Sequence, residues 1–116
     1  MAAGLFATCR EVGPVTIVDL SGRIALGEGS ALLRRTIREL LENGQTRILL
    51  NLGDVNYIDS SGIGELVSAF TAVRNRTGEL KLLSLTKKVH DLLQLTKLFT
   101  VFEVYSEEGA AVRSYR

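Results

Sequence analysis

Asp54-Val55-Asn56-Tyr57-Ile58-Asp59-Ser60-Ser61-Gly62-Ile63-Gly64 is the stretch on which the reading of this chain turns. Just before it, Ile48-Leu49-Leu50-Asn51-Leu52 is an almost unbroken apolar run. Such a run predicts a strand covered on both faces, placed over Thr46 to Leu52. Just after it, Ile63, Leu66, Val67, Phe70 and Val73 recur at helical spacing. They predict a helix from Gly62 to Arg76, closed by Thr77-Gly78. Two adjacent serines, flanked by an acid and two glycines, therefore sit where a strand hands over to a helix. A helix start presents unpaired N–H groups and the positive end of the macrodipole, which favour anionic groups. The plainest reading is that one serine caps the helix and the other fills a turn. Asp59 either braces the turn through backbone N–H groups or orients a serine hydroxyl. The glycines serve turn geometry or leave room for another molecule to approach.

Moving outward toward the N-terminus, Leu5 to Val12 and Val15 to Leu20 predict two strands joined across Gly13-Pro14, a hairpin at the edge of a sheet. Ser21 to Gly29 is a glycine-rich connection. Its Gly22-Arg23-Ile24 segment, at the end of the second strand, is placed to adjoin Asp59. Ser30 to Glu42 predicts an amphipathic helix with Leu33, Ile37, Leu40 and Leu41 inward. It starts at Gly29 or Ser30 and stops at Asn43-Gly44. Arg34, Arg35, Arg38, Glu39 and Glu42 form its solvated face.

Toward the C-terminus, Glu79 to Leu85 predicts a strand and Thr86 to Gln94 a short helix capped by Thr86, with Val89, Leu92 and Leu93 inward. Val101 to Tyr105 predicts a last strand, and Ser106-Glu107-Glu108 the start of a terminal helix. The order is β-β-α-β-α-β-α-β-α. Strands alternating with helices give right-handed crossovers and a mostly parallel sheet, here with an antiparallel N-terminal edge. Phe70, Phe99, Phe102 and Ile63 are expected in the core, with apolar residues near the serines available as a docking patch.

The run from Asp54 to Gly64 closely resembles the phosphorylation loop of bacterial anti-sigma factor antagonists, the STAS-domain family. The likeness in pattern extends from about Val15 to Tyr105. It implies one STAS domain over residues 1–116, with a core of about 5–112: an α/β fold whose sheet is flanked by four helices. It implies Ser61 as phosphoacceptor, with Ser60 as second choice. The implied partner surface is Asp59, Ser60, Ser61, Gly62, Ile63, Gly64, Gly22 and Arg23. Unphosphorylated, such a domain would bind an anti-sigma factor serine kinase of the GHKL-ATPase class and release a sigma factor, so regulating transcription. The kinase would supply ATP and Mg²⁺, and a PP2C-type phosphatase would reset the switch. The domain would have no catalytic residues, metal or cofactor of its own. The alternative is a STAS scaffold or small-ligand-binding module in another signalling or transport complex, without a phosphorylation cycle. The family often carries an acid after its Gly-x-Leu/Ile; this chain has Ala25, with Glu28 as the nearest substitute.

Composition narrows the classes. The chain has 116 residues, enough for one core. Fourteen basic side chains stand against 13 acidic, a formal charge of +1. That balance argues against direct nucleic-acid binding, which calls for clustered Lys and Arg. One cysteine, Cys9, excludes an internal disulfide, and with a single histidine it makes a structural zinc site a poor expectation. Cys9 itself suits a small buried or edge position. No apolar stretch approaches the roughly 20 residues of a membrane span, and the N-terminus lacks the basic start of a signal peptide, so the protein is read as soluble, cytoplasmic and not membrane-inserted.

Enzyme motifs fail at stated residues. Gly62-Ile63-Gly64 lacks the third glycine of a dinucleotide fingerprint, and Lys81-Leu82 stand where its acid belongs. Asp59 occupies the first glycine position of a hydrolase elbow centred on Ser61. His90, the one histidine, lies in a predicted helix beside Lys87 and Lys88 with no serine–acid spacing.

Overall fold

Gly13, with φ of +59°, and Pro14 turn the chain so that Val12 faces Val15, and β1 (Leu5–Val12) lies antiparallel to β2 (Val15–Ile24). The computed structural model describes residues 4–116. After the hairpin come α1 (Glu28–Glu42), β3 (Arg47–Ile58), α2 (Ser60–Asn75), β4 (Glu79–Leu83), α3 (Lys87–Leu95), β5 (Val104–Tyr105) and α4 (Glu108–Arg113). The sheet order is β1-β2-β3-β4-β5, parallel after the first pair. The predicted order of elements and the mixed sheet are both observed.

Alternation along the strands sorts residues between two cores. Val18, Leu20, Ile48, Leu50, Leu52, Leu80 and Leu82 face the helical layer of α1, α2 and α3, meeting Leu33, Ile37, Leu66, Val73, Val89 and Leu93. Val15, Ile17, Leu49 and Leu83 face the other way, under Ala111 of α4. The central strands are thus covered on both faces where the apolar run requires it. Phe102 is buried and packs edge-on against Phe70, while Phe70 and Phe99 lie half-buried against the same core.

Several boundaries differ from expectation. β3 runs on to Ile58 and does not stop at Leu52. The reason is β2, which continues past Leu20 and pairs Arg23 with Tyr57 and Ile24 with Ile58 after two register shifts. Backbone pairing, not side-chain pattern, keeps this polar segment extended. α1 starts two residues before Ser30, at Glu28, with Gly27 as its cap at φ 98°. β4 ends at Leu83 because Ser84 turns left-handed, φ 60°. β5 is only Val104–Tyr105; Val101 is taken up by a turn bonding back to Leu98. Glu107, not Ser106, caps α4, accepting from the N–H groups of Gly109 and Ala110. Thr86 caps α3 as expected, accepting from Val89 N–H.

Candidate functional site

In a parallel sheet the carboxyl ends of the strands and the amino ends of the following helices meet at one edge, where open α/β sheets bind ligands. Here β2 and β3 end side by side at Ile24 and Ile58. Asp59 joins them. Its N–H reaches Ile24 O at 3.4 Å. Its carboxylate caps α2, Oδ1 accepting from Gly62 N–H at 2.8 Å, while Oδ2 accepts from Leu26 N–H at 3.1 Å. The Gly62 bond first, then the Leu26 bond, hold the carboxyl below its usual range. With both oxygens engaged by backbone, Asp59 is a brace and a cap, and neither serine caps the helix.

Ser60 and Ser61 are the first two residues of α2. Ser60 is exposed and Ser61 half-buried. Ser61 Oγ lies 3.2 Å from Ser30 Oγ on the first turn of α1. The first backbone bond of the turn runs from Ile63 N–H to Asp59 O, so the N–H groups of Ser60 and Ser61 stand at the open end of the helix.

The expected partner surface divides into residues that reach outward and residues that do not. Gly64 is exposed, and a Cβ there would meet nothing within 4 Å. Gly62 is a correction: it is buried, and a Cβ would stand 2.1 Å from Ile24 O and 2.7 Å from Ile58 Cγ1. Its missing side chain admits the chain's own β2, not a visitor. Ile63 meets the expectation of a core residue, not that of a surface one. It is 4% exposed and belongs to the core, so its contribution to contact can only be indirect. Gly22, half-buried with φ +110°, lets β2 pass Gly4, whose carbonyl a Cβ would meet at 2.3 Å. Arg23 is exposed and lies over the Tyr57 ring, 4.1 Å from its centroid, so Gly22-Arg23 does adjoin the Asp59 corner. Ala25 is half-buried, and Glu28 heads α1 exposed to solvent.

Some members of this corner carry no sequence signal of their own. Lys88 Nζ approaches the other cation's ring, Tyr57, at 5.2 Å. Leu26 and Leu95 are 81% and 79% exposed, unusual for leucine. A shallow cleft of about 340 Å³ opens beside Ser60, lined by Tyr57, Asp59, Lys88 and Leu95. Serine hydroxyls, apolar projections and two cations stacked on Tyr57 thus share one face. A larger groove of about 590 Å³ lies between α1 and α2, rimmed by Arg34, Arg38 and Arg76, but the two serines are not among its lining residues.

Other candidates settle into structural places. His90 packs edge-on to Phe99 with ring centroids 4.9 Å apart. Cys9 is exposed on the edge strand β1. Among the described residues no group of three His, Cys, Asp or Glu side chains could hold a metal ion, and no helix is long and apolar enough to cross a membrane. Among the described residues no carboxylate or imidazole bonds the Ser61 hydroxyl; its partner is another serine.

Comparison with known proteins bears on the fold that carries this corner. A family model described as the STAS domain matches residues 7–111. An anti-sigma-B factor antagonist of Listeria monocytogenes is 33% identical over 87 residues, covering 72% of this chain and 76% of that protein. An anti-sigma F factor antagonist of Paenibacillus polymyxa is 30% identical over 99 residues, covering 84% of each. The crystal structure of an anti-sigma factor antagonist from Mycobacterium paratuberculosis superposes with a TM-score of 0.85, covering 97% of this chain and 94% of that one at 17% identity, a likeness of fold.

Proposed function

The chain belongs to the STAS domain family, and from that premise we propose that it is an anti-sigma factor antagonist switched by phosphorylation of Ser61. The observation that carries this reading is the Ser60-Ser61 pair, one exposed and one half-buried, on the first turn of α2, with Asp59 committed to the cap. Unphosphorylated, the corner binds an anti-sigma factor serine kinase of the GHKL-ATPase class, and a sigma factor is released. The contact surface is Arg23, Leu26, Asp59, Ser60, Ser61, Gly64 and Leu95, with the two leucines supplying apolar area and the serines its polar centre.

The kinase brings ATP and Mg²⁺. Ser61 Oγ attacks the γ-phosphorus; the Oγ–P bond forms as the bond from that phosphorus to the β–γ bridging oxygen breaks. ADP leaves and the hydroxyl proton is released. In-line transfer of this kind depends on positioning and charge stabilisation, both of which the kinase supplies. The new group carries about −1.5 to −2 charges at neutral pH. The start of a 16-residue helix receives that charge favourably, so the domain keeps its fold. A partner pressed on the same spot would have to desolvate the anion, and the complex parts. A PP2C-type phosphatase removes the group and restores binding.

The test uses the anti-sigma factor kinase encoded in the same genome. Incubation with it and ATP, followed by fragment-ion mass spectrometry, is expected to place one phosphate on Ser61. Phosphate on Ser60 alone, or on neither serine, overturns the assignment, and its absence from both turns the reading toward a scaffold or ligand-binding module. Ser61→Asp is expected to keep the melting temperature within error while weakening kinase binding by about tenfold or more, about 1.4 kcal/mol. Equal loss of both would make Ser61 a structural residue.

A further inference from the structure

We propose that Ser30 is the positioning residue of the switch: its buried hydroxyl holds the Ser61 hydroxyl in place before phosphorylation and donates a hydrogen bond to the phosphoserine afterwards. The proposal rests on Ser61 being the phosphoacceptor. It adds a residue on another helix, 31 positions away in the chain.

Two glycines build the contact. A Cβ on Gly29 would stand 2.4 Å from Arg23 O, and one on Gly62 would stand 2.1 Å from Ile24 O. Only with glycine at both positions can the first turns of α1 and α2 lie on consecutive carbonyls at the end of β2. Ser30 follows the first glycine and Ser61 precedes the second, so the two hydroxyls meet at 3.2 Å. Ser30 is 3% exposed, and its N–H is already used by Ala25 O. Its hydroxyl is a buried polar group whose partner is Ser61.

Proton bookkeeping then assigns the direction of the bond. A hydroxyl has one hydrogen to give and two lone pairs to accept with. In the free protein either serine can donate. Once Ser61 Oγ is an ester it has no hydrogen, and Ser30 becomes the donor, to a peripheral, ionised oxygen of the phosphate. Charge-assisted bonds of this kind are about twice as strong as neutral ones, so the change strengthens the contact. Ser60, exposed on the same turn, lacks this support. The pair thereby distinguishes two adjacent serines that a kinase meets together: one is held by a neighbouring hydroxyl, the other is exposed.

The test needs no kinase. Full-length protein is made with phosphoserine genetically encoded at 61 and, separately, at 60, each with Ser30 intact or as Ser30→Ala, and the phosphate is titrated by ³¹P NMR. The expected second pKa of phosphoserine 61 lies below that of phosphoserine 60. Ser30→Ala raises the former by about 0.5 unit, roughly threefold in the dissociation constant, and leaves the latter unchanged. The charged groups near the two first turns are Asp59, Glu28, Arg23, Lys88, Asp91 and the Arg34–Glu65 pair; all are kept when Ser30 is replaced, so the comparison with Ser30→Ala isolates Ser30. Ser30→Thr, which retains the hydroxyl, restores the low value; melting curves establish that each variant is folded. An unchanged titration in Ser30→Ala, or equal shifts at 60 and 61, overturns the proposal. These outcomes are separable from the wider reading. If the kinase labels Ser61 while Ser30→Ala changes nothing, Ser30 is dismissed and the switch stands. If the titration behaves as expected and no kinase labels Ser61, the switch is dismissed instead.

Discussion

Asp59 is used twice by the backbone, and its charge is part of how. Both N–H partners, Gly62 and Leu26, favour the carboxylate over the acid and lower its pKa. A group with a depressed folded pKa contributes stability that is present above its unfolded value, here 3.8, and is lost as pH falls through the lower folded value. Asp59→Ala should therefore cost about 0.5–2 kcal/mol at neutral pH, the range for losing a helix cap. Asp59→Asn, itself a good cap, should cost less and flatten part of the acid limb of a urea-derived stability curve. Lys81 is the residue least expected from its letter. It is 4% exposed, its Nζ donating to Ser114 O at 3.1 Å and Ser114 Oγ at 2.8 Å beneath the Tyr115 ring. Lys81→Met keeps the volume and removes the donor. It should cost about 1–3 kcal/mol in the same measurement, because the half-buried Ser114 oxygens lose their donor and Glu79 and Glu103 their cation.

The two glycines of α2 separate packing from propensity at the scale of the element. In a helix, alanine is ordinarily better than glycine by about 0.8–1.0 kcal/mol. At Gly64 the space is open, and Gly64→Ala should stabilise by up to that amount. At Gly62 the added carbon would meet the Ile24 carbonyl at 2.1 Å, a backbone atom that cannot swing aside. Gly62→Ala should therefore destabilise, by about 1–3 kcal/mol as for other overpacked sites. Opposite signs in paired urea melts are the expected result; stabilisation by both would mean that α2 does not rest on β2 as described. The helix was readable from its apolar spacing, but its first residue was not. Ser60, Ser61 and Asp59 are all common at caps, and only the position of Gly62 N–H selects the aspartate. The far half of β3 was hidden for a related reason. Gly53-Asp54-Val55-Asn56 lacks a strand pattern and is extended because β2 pairs with it.

Across the whole molecule, Arg10 ties the edge strand to the far layer. It bonds Asp19 on β2 at 2.6 Å and Glu108 on α4 at 2.7 Å, while Asn51 also donates to Asp19 at 2.8 Å. Arg10 is the largest cause holding both carboxyls below their usual values. By the same sign as Asp59, this support is present at neutral pH and fades as acid protonates the carboxylates. The partners are 33–40% exposed, so solvent screening limits the gain. Arg10→Ala should cost less than about 1 kcal/mol, and the difference should shrink in 1 M salt, where the screening length is about 3 Å. A cost that ignores salt would point to lost packing of the arginine stem.

The order of elements, the mostly parallel sheet with its antiparallel edge, the inward Ile63 and the corner at Asp59-Ser60-Ser61 are all legible in the residues in line, because apolar period, glycine and capping chemistry act between near neighbours in the chain. The inward position of Gly62, the burial of Lys81 and the meeting of Ser61 with Ser30 needed the folded chain. Those facts depend on which carbonyl, ring or hydroxyl arrives from tens of residues away, and strand register, which no local pattern encodes, sets that arrival.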